Sequence, residues 1–356
     1  MDGNYTVNDT KVIAFFPPVA SGGAFYRSTM IQQALSLYYP DEFTVVEYGP
    51  DDNTPFLSLP IEQLKRIAST AHFYCATLDS QLGLARELHN AGVRIIHDMD
   101  DNYFEEGQNA VTLPRNAYRN IRETCEIADV ITVSTKKLKE VVQGQFPDKN
   151  VEVVPNMILK PFLDAFYLAR KGLVSQFQPR ERKRVLWSGG LGHDRDFGLV
   201  QDIIKESGDS FDWILFGNFP PIQNPYVTVI PNKPFAEYWS TLLGLDVDLV
   251  INPLNPEAVI NQYRSPVKAF EMAILAVPFL TNSDIYMCDD SEYDRSMIPS
   301  TLSVDTTLKT PEDWVVAMVN WLRKTHGEFC LPHWWRIHYY DFVDWHAAAS
   351  IRTLFS

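Results

Sequence analysis

In the stretch 261–280, NQYRSPVKAFEMAILAVPFL, Arg264, Ser265, Lys268 and Glu271 carry chemistry, and the other residues from 264 on are apolar or small. Ser265 followed by Pro266 is the pairing expected where a hydroxyl caps a helix and proline takes its first turn, so the pattern predicts a helix from Ser265. Val267, Phe270, Ile274 and Val277 then recur at three- and four-residue steps as a core face, and Lys268 and Glu271 lie one turn apart on another face. A lysine in a first turn opposes the helix dipole. Its position makes sense where an anion docks on the exposed N–H groups, with Arg264 and Lys268 completing a phosphate site. The same spacing also admits a local Lys268–Glu271 ion pair that neutralises both charges.

Three other loops follow strand-like runs with unusual composition. PPVASGGAFYRS places Gly22 and Gly23 where backbone can approach a ligand closely, with Arg27 as an added charge, or where a tight turn simply needs glycine. IIHDMDDNYFE gathers His97, Asp98, Asp100 and Asp101. So many carboxylates repel one another unless they meet cations, sugar hydroxyls or solvent, and Asp98 with Asp100 could form a metal-binding acidic pair or an exposed loop without function. LWSGGLGHDRDFG sets Gly189, Gly190 and Gly192 between a strand and a helix starting near Asp196, with His193 and Arg195 at the mouth. His193 reads equally as a cap of that helix.

The elements that must position these loops alternate. Strand-like runs such as VIAFF, FTVVEYG, HFYCATL, VRIIHDM and DVITVS are separated by helical patterns, and the order begins again at RVLWSG with WILFG, VTVIP, DVDLVINPL and VPFLTN. Alternation of this kind predicts α/β architecture with two doubly wound parallel sheets. A length of 356 residues suits two cores. The stretch 157–183 lacks a clean strand and reads as the connection between domain 1–156 and domain 184–331, and the aromatic tail 332–356 reads as a packed helix. An apolar fraction of 46% without a run near the roughly 20 residues that span a bilayer predicts a globular protein with no membrane insertion. The polar start MDGNYTVNDT implies a cytoplasmic setting, and Cys75, Cys125, Cys288 and Cys330 are too scattered for a zinc site or disulfide scaffold. A net charge of −14 argues against a broad grip on nucleic acid, although a local basic groove is compatible with it.

HDMDDNYF, ITVSTKKL, VEVVPN, WSGGLGHDRD and NPLNPEAVINQYRSPVKAFEMAILAVPFL, in this order, resemble the GT-B fold glycosyltransferases near the retaining E-x7-E type, in forms found in bacteria and their viruses. The resemblance implies two Rossmann-like domains facing a cleft, with a C-terminal helix packing back on the N-terminal domain. It implies a nucleotide-sugar co-substrate in the C-terminal domain, no resident cofactor and no metal. Glu271 matches the glutamate that holds the ribose hydroxyls. Arg264, Ser265 and Lys268 would meet the diphosphate, with Gly189, Gly190 and His193 beside it and Gly22, Gly23 and Arg27 facing it from the other domain. His97 matches a family histidine close to the sugar, and with Asp98, Lys268 and Glu271 makes the implied catalytic set; Asp100 and Asp101 would bind the acceptor. The sequence departs from the motif where Tyr263 stands in place of the first glutamate, so recognition of the sugar at that end must differ. The acceptor is open among a saccharide, a small molecule and hydroxymethylated bases in DNA, as in phage DNA-modifying enzymes. Tyr263 also keeps a non-catalytic nucleotide-sugar-binding protein in play.

Overall fold

The computed structural model describes residues 10–17, 22–48, 60–104, 113–190, 193–275, 277–282, 302–324 and 349–356. These fall into two compact units, one running to Leu159 and taking in the carboxyl-terminal residues 349–356, the other starting at Lys160. The stretch read as a connection therefore begins the second unit, and most of it is the helix Lys160–Val174. That helix is fastened by Arg170, which is buried and donates to the backbone oxygens of Leu243 (2.8 Å), Leu245 (2.6 Å) and Leu275 (3.2 Å).

The first unit is a six-stranded parallel sheet. Its strands are β1 Lys11–Phe16, β2 Phe43–Glu47, β3 Ala68–Tyr74, β4 Arg94–Met99, β5 Val130–Val133 and β6 Asn150–Val153, in the order β2-β1-β3-β4-β5-β6. Strands buried on both faces need apolar residues at successive positions, and the last four residues of β1 and all of β5 are buried accordingly. The helix Ile61–Ile67 ends where Ala68, Ser69 and Thr70 join β3 beside β1. The last residues, helical over 349–355, return to this unit: Phe355 stacks near Phe15 and His72, and Arg94 donates to the Leu354 oxygen at 2.6 Å. The rest of the predicted tail helix lies outside the described residues.

The second unit repeats the plan with β7 Lys183–Ser188, β8 Phe211–Phe216, β9 Val227–Ile230, β10 Leu249–Asn252, β11 Phe279–Thr281 and β12 Leu302–Val304. All neighbours are parallel and the order is β12-β11-β10-β7-β8-β9. Its core gathers Trp187, Trp213, Phe197 and Trp314 between the sheet and the helices Asp194–Ser207 and Pro311–Lys324. In each sheet the strand order reverses beside the first strand, between β1 and β3 and between β7 and β10, and crevices for ligands form at the carboxyl ends of strands at such reversals.

Candidate functional site

In the first unit, β1 leads into one helical path that starts at Gly22–Ala24, widens into a π-type turn over Phe25–Thr29 and continues as Met30–Tyr38. The wide turn is closed by the Met30 N–H donating to the Phe25 oxygen, five residues back. Arg27 lies within it at 0% exposure. Its Nε donates to Asp98 Oδ2 at 2.8 Å and its Nη2 to Oδ1 at 2.5 Å, while Nη1 reaches the Val154 oxygen and, at 3.1 Å, Asn156 Oδ1. Asp98 also accepts from the Thr132 hydroxyl and is itself fully buried. Burial alone would raise its pKa, but the Arg27 charge and these hydrogen bonds hold it below the ordinary carboxylate value. Arg27 and Asp98, expected to meet ligand, are here each other's ligand.

His97 and Asp98 fall both in the strand-like run VRIIHDM and in the loop stretch IIHDMDDNYFE. They lie inside β4, which extends to Met99 because His97 pairs with Phe73 and Ile131 on its two neighbours. His97 has 0% exposure, and neither ring nitrogen has a hydrogen-bond partner. The loop proper starts at Asp100. Tyr74 at the end of β3 donates to Asp100 Oδ1 at 2.9 Å, and burial together with the Asp101 charge raises the Asp100 carboxyl to about 7. Gly23 is needed for this contact, since a Cβ there would stand 2.0 Å from the Tyr74 hydroxyl oxygen; Gly22 has open space around it. Cys75 beside them holds a left-handed φ of 46°, an uncommon conformation for a residue with a side chain. A cavity of 500 Å³ also opens by the carboxyl end of β1, with Phe16, Tyr48, Ser80, Gln81 and Glu87 in its wall, and no motif pointed to it.

The second unit assembles its predicted residues more fully. The helix carrying Lys268 and Glu271 is Val267–Ala273, shorter than expected, and begins at Val267 rather than Ser265. Pro266 stands in the capping position with φ −75° and ψ 20°, and no side chain supplies a cap hydrogen bond there. Ala269 N–H bonds to the Pro266 oxygen at 3.0 Å, a tight first turn that leaves half-buried Ser265 in the entering loop. Ile274 and Val277 are buried as the core pattern required; the Phe270 side chain lies outside the described set. Lys268 Nζ is 3.3 Å from the hydroxyl of Ser188, the last residue of β7, and 3.7 Å from Glu271 Oε2. That same oxygen accepts from the Tyr238 hydroxyl at 2.9 Å. The local ion pair is therefore present, within a larger group that reaches the end of β7.

Gly189 and Gly190 follow β7 directly; Gly192 lies outside the described residues. His193 precedes the helix Asp194–Ser207 and makes no cap bond. Its Nδ1 is 2.8 Å from Asp196 Oδ2, and Arg264 Nη1 lies against the ring, close to Nε2 and 3.1 Å from Nδ1. Burial lowers the His193 pKa to about 4, with the Arg264 and Lys268 charges acting the same way against the pull of Asp196, so the ring is neutral at pH 7. Asp196 Oδ1 accepts from Asn255 N–H at 2.7 Å and Asn261 Nδ2 at 2.9 Å. Asn255, Asn261 and Tyr238 were not singled out in the sequence, where the first two stand 59 and 65 residues from Asp196 and the third 33 residues from Glu271.

The chain is similar to known structures over almost its whole length. Sucrose-phosphate synthase from Thermosynechococcus elongatus superposes with a TM-score of 0.60 at 13% identity, covering 97% of this chain and 98% of that one. Anabaena HepE in complex with UDP-glucose gives 0.60 at 11%, over 96% and 98% of the two chains. An alpha-glucosyltransferase in complex with UDP-glucose and DNA containing an abasic site gives 0.59 at 11%, over 94% of each. The chain has the GT-B fold. No family model and no curated protein sequence matches it. Within a GT-B unit the β7/β10 reversal is a ligand crevice, and here Ser188, His193, Arg264, Lys268 and Glu271 converge on it. Among the described residues no helix is long and apolar enough to cross a membrane.

Proposed function

We propose that this chain is a glycosyltransferase that moves a sugar from a nucleoside diphosphate donor to an acceptor hydroxyl. The observation that carries the reading is the placing of Lys268 between Ser188 and the buried carboxylate of Glu271, with Arg264 against His193, whose ring feels both cations, after β7 and β10 at the strand-order reversal of the second sheet. Breaking the bond between sugar and phosphate builds negative charge on the diphosphate, and fixed cations stabilise that charge most as it forms. On this reading Arg264 and Lys268 neutralise the leaving group without a divalent metal. Ser188, Gly189 and Gly190 line its phosphates, and Glu271, steadied by Tyr238, accepts from the ribose hydroxyls. Transfer proceeds with retention at the anomeric carbon. The acceptor is a saccharide or small hydroxylated molecule, and the cavity beside Phe16 and Tyr48 offers it aromatic faces and polar groups.

A thermal-shift panel of nucleoside diphosphates and their sugars is the test. One donor family should stabilise the protein strongly, by the binding linkage that raises folded-state population, and slow donor hydrolysis should survive EDTA. No stabilisation by any donor would overturn the reading; binding without hydrolysis or transfer would leave a nucleotide-sugar binder. The second reading, transfer to hydroxymethylated DNA, has the DNA-bound structural neighbour in its favour and the net charge of −14 against it. Filter binding of modified and plain duplexes at two salt concentrations separates the two.

A further inference from the structure

We infer that Arg170 is a positioning residue for the donor site: it binds the carboxyl-terminal ends of the two helices that carry Tyr238 and Glu271, and so sets the grip of that pair on the donor's ribose. The inference rests on the donor reading above. Tyr238 lies on the helix Phe235–Gly244 and Glu271 on the helix Val267–Ala273, so the 2.9 Å bond between them joins one helix to the other. Arg170 joins the same two helices a second time. Its Nη1 donates to the oxygens of Leu243, in the last turn of the first helix, and of Leu245, just past its end, while its Nε donates to Leu275, two residues beyond the end of the second.

Carbonyls at the end of a helix have no partner within it, and a cation placed there also meets the negative end of the helix dipole. One guanidinium serves both ends. Arg170 is buried, and burial lowers its pKa to about 10 against the pull of Asp246, so it remains charged at pH 7. Asp246 itself is bound to Arg180 at 2.6 Å. Fastening the helix Lys160–Val174 is already served by packing, since Leu163 is buried and Phe166 stacks on Trp239 with ring centroids 4.4 Å apart. What Arg170 adds is a fixed spacing between two other helices. A carboxylate that must accept from ribose hydroxyls loses much of its grip when displaced by even about 1 Å, and Glu271 stands four residues from the carbonyl that Arg170 holds.

Calorimetric binding of UDP and of its 2′,3′-dideoxy form tests this, with ADP, GDP and CDP and their dideoxy forms as further probes should UDP not bind the wild-type protein. The ratio of the two affinities reads the ribose hydroxyls, because losses common to both ligands cancel. Wild type should prefer the intact ribose about tenfold or more, the range for charge-assisted hydrogen bonds, and Glu271→Ala should abolish that preference. Arg170→Gln and Arg170→Lys should each cut it below about threefold, since neither side chain carries a fork that spans both helix ends. Leu163→Ala, which loosens the helix Lys160–Val174 and removes no bond to those carbonyls, should lower the melting temperature and keep the wild-type preference. Arg170 would be reduced to a fastener, and the inference overturned with the diphosphate site standing, by a folded Arg170→Lys protein with full preference, by two Arg170 variants that do not fold, or by a Leu163→Ala protein that loses the preference as well. A wild type that binds both ligands equally, or a preference that survives Glu271→Ala, would overturn it too. A wild-type protein that binds none of the nucleoside diphosphates would sink the donor reading and this inference with it.

Discussion

The two units place charged residues near the carboxyl ends of their parallel strands and use them in opposite ways. In the first, Arg27 and Asp98 are both at 0% exposure and satisfy each other with two hydrogen bonds, so their charges serve to lock a wide helical turn onto β4, β5 and the end of β6. In the second, Lys268 keeps 19% of its side chain exposed, stands 3.7 Å from its nearest carboxylate and touches a hydroxyl at the strand end. A charge whose partner is already at contact and sealed from water has no field left to offer a ligand. One that is held loosely at a crevice does.

Breaking the sealed pair should therefore have the largest effect, and on stability. Arg27→Ala leaves Asp98 buried without its cation, which costs about 3 to 5 kcal/mol. Urea unfolding should show a much lower midpoint or no folded protein, and a variant as stable as wild type would erase the distinction between the units. Lys268→Ala should do the reverse. Its melting temperature should stay within a few degrees of wild type, as expected for a partly exposed ion pair, while kcat at saturating donor falls about 10²- to 10³-fold. Full turnover in that variant would return Lys268 to the status of a local partner of Glu271.

Much of this was legible from local pattern, because continuous apolar runs alternating with helical ones leave few arrangements other than parallel sheets wound on both sides. The crevice at β7 and β10 was legible too, since glycines after a strand and the Arg264–Lys268–Glu271 spacing are local signals. What escaped depends on partners distant in the chain. The strand VRIIHDM was legible, but not what meets its charge: Asp98 is paired by Arg27, 71 residues away, and Thr132, 34 residues away. The helix start moved from Ser265 to Val267 because Pro266 turns there without a side-chain cap, a choice made by backbone angles that no residue type dictates. His193 could be read as a cap only until Asn255 and Asn261 were seen to hold Asp196 against it.

The histidines give the finest form of the comparison and the smallest expected effect. His193 in the second unit is neutral and engaged on both nitrogens, whereas His72 and His97 in the first are fully buried and, among the described residues, no side-chain hydrogen-bond partner meets either ring. Burial lowers His72 to about 4 and His97 to about 3, from an ordinary value of 6.5. Below pH 6.5 the unfolded chain binds protons that the folded chain refuses, so each histidine makes the fold less stable as pH falls from 6.5 toward 4. Asp100 opposes them, since a carboxyl raised to about 7 takes up its proton in the folded state first and gains stability over the same fall. Wild-type stability alone would blur these terms, and a difference between variants separates them. His72→Phe, placed against the rings of Phe15 and Phe355, keeps Asp100 unchanged and should remove an acid-side loss of below about 1 kcal/mol between pH 7 and 6, growing by roughly 1.4 kcal/mol per further pH unit down to 4. Urea midpoints of His72→Phe and wild type measured at pH 7, 6 and 5 should diverge in that direction. Parallel curves would mean that the core of the first unit admits a proton to His72, and with it the solvent access that separates the two reversals in this molecule.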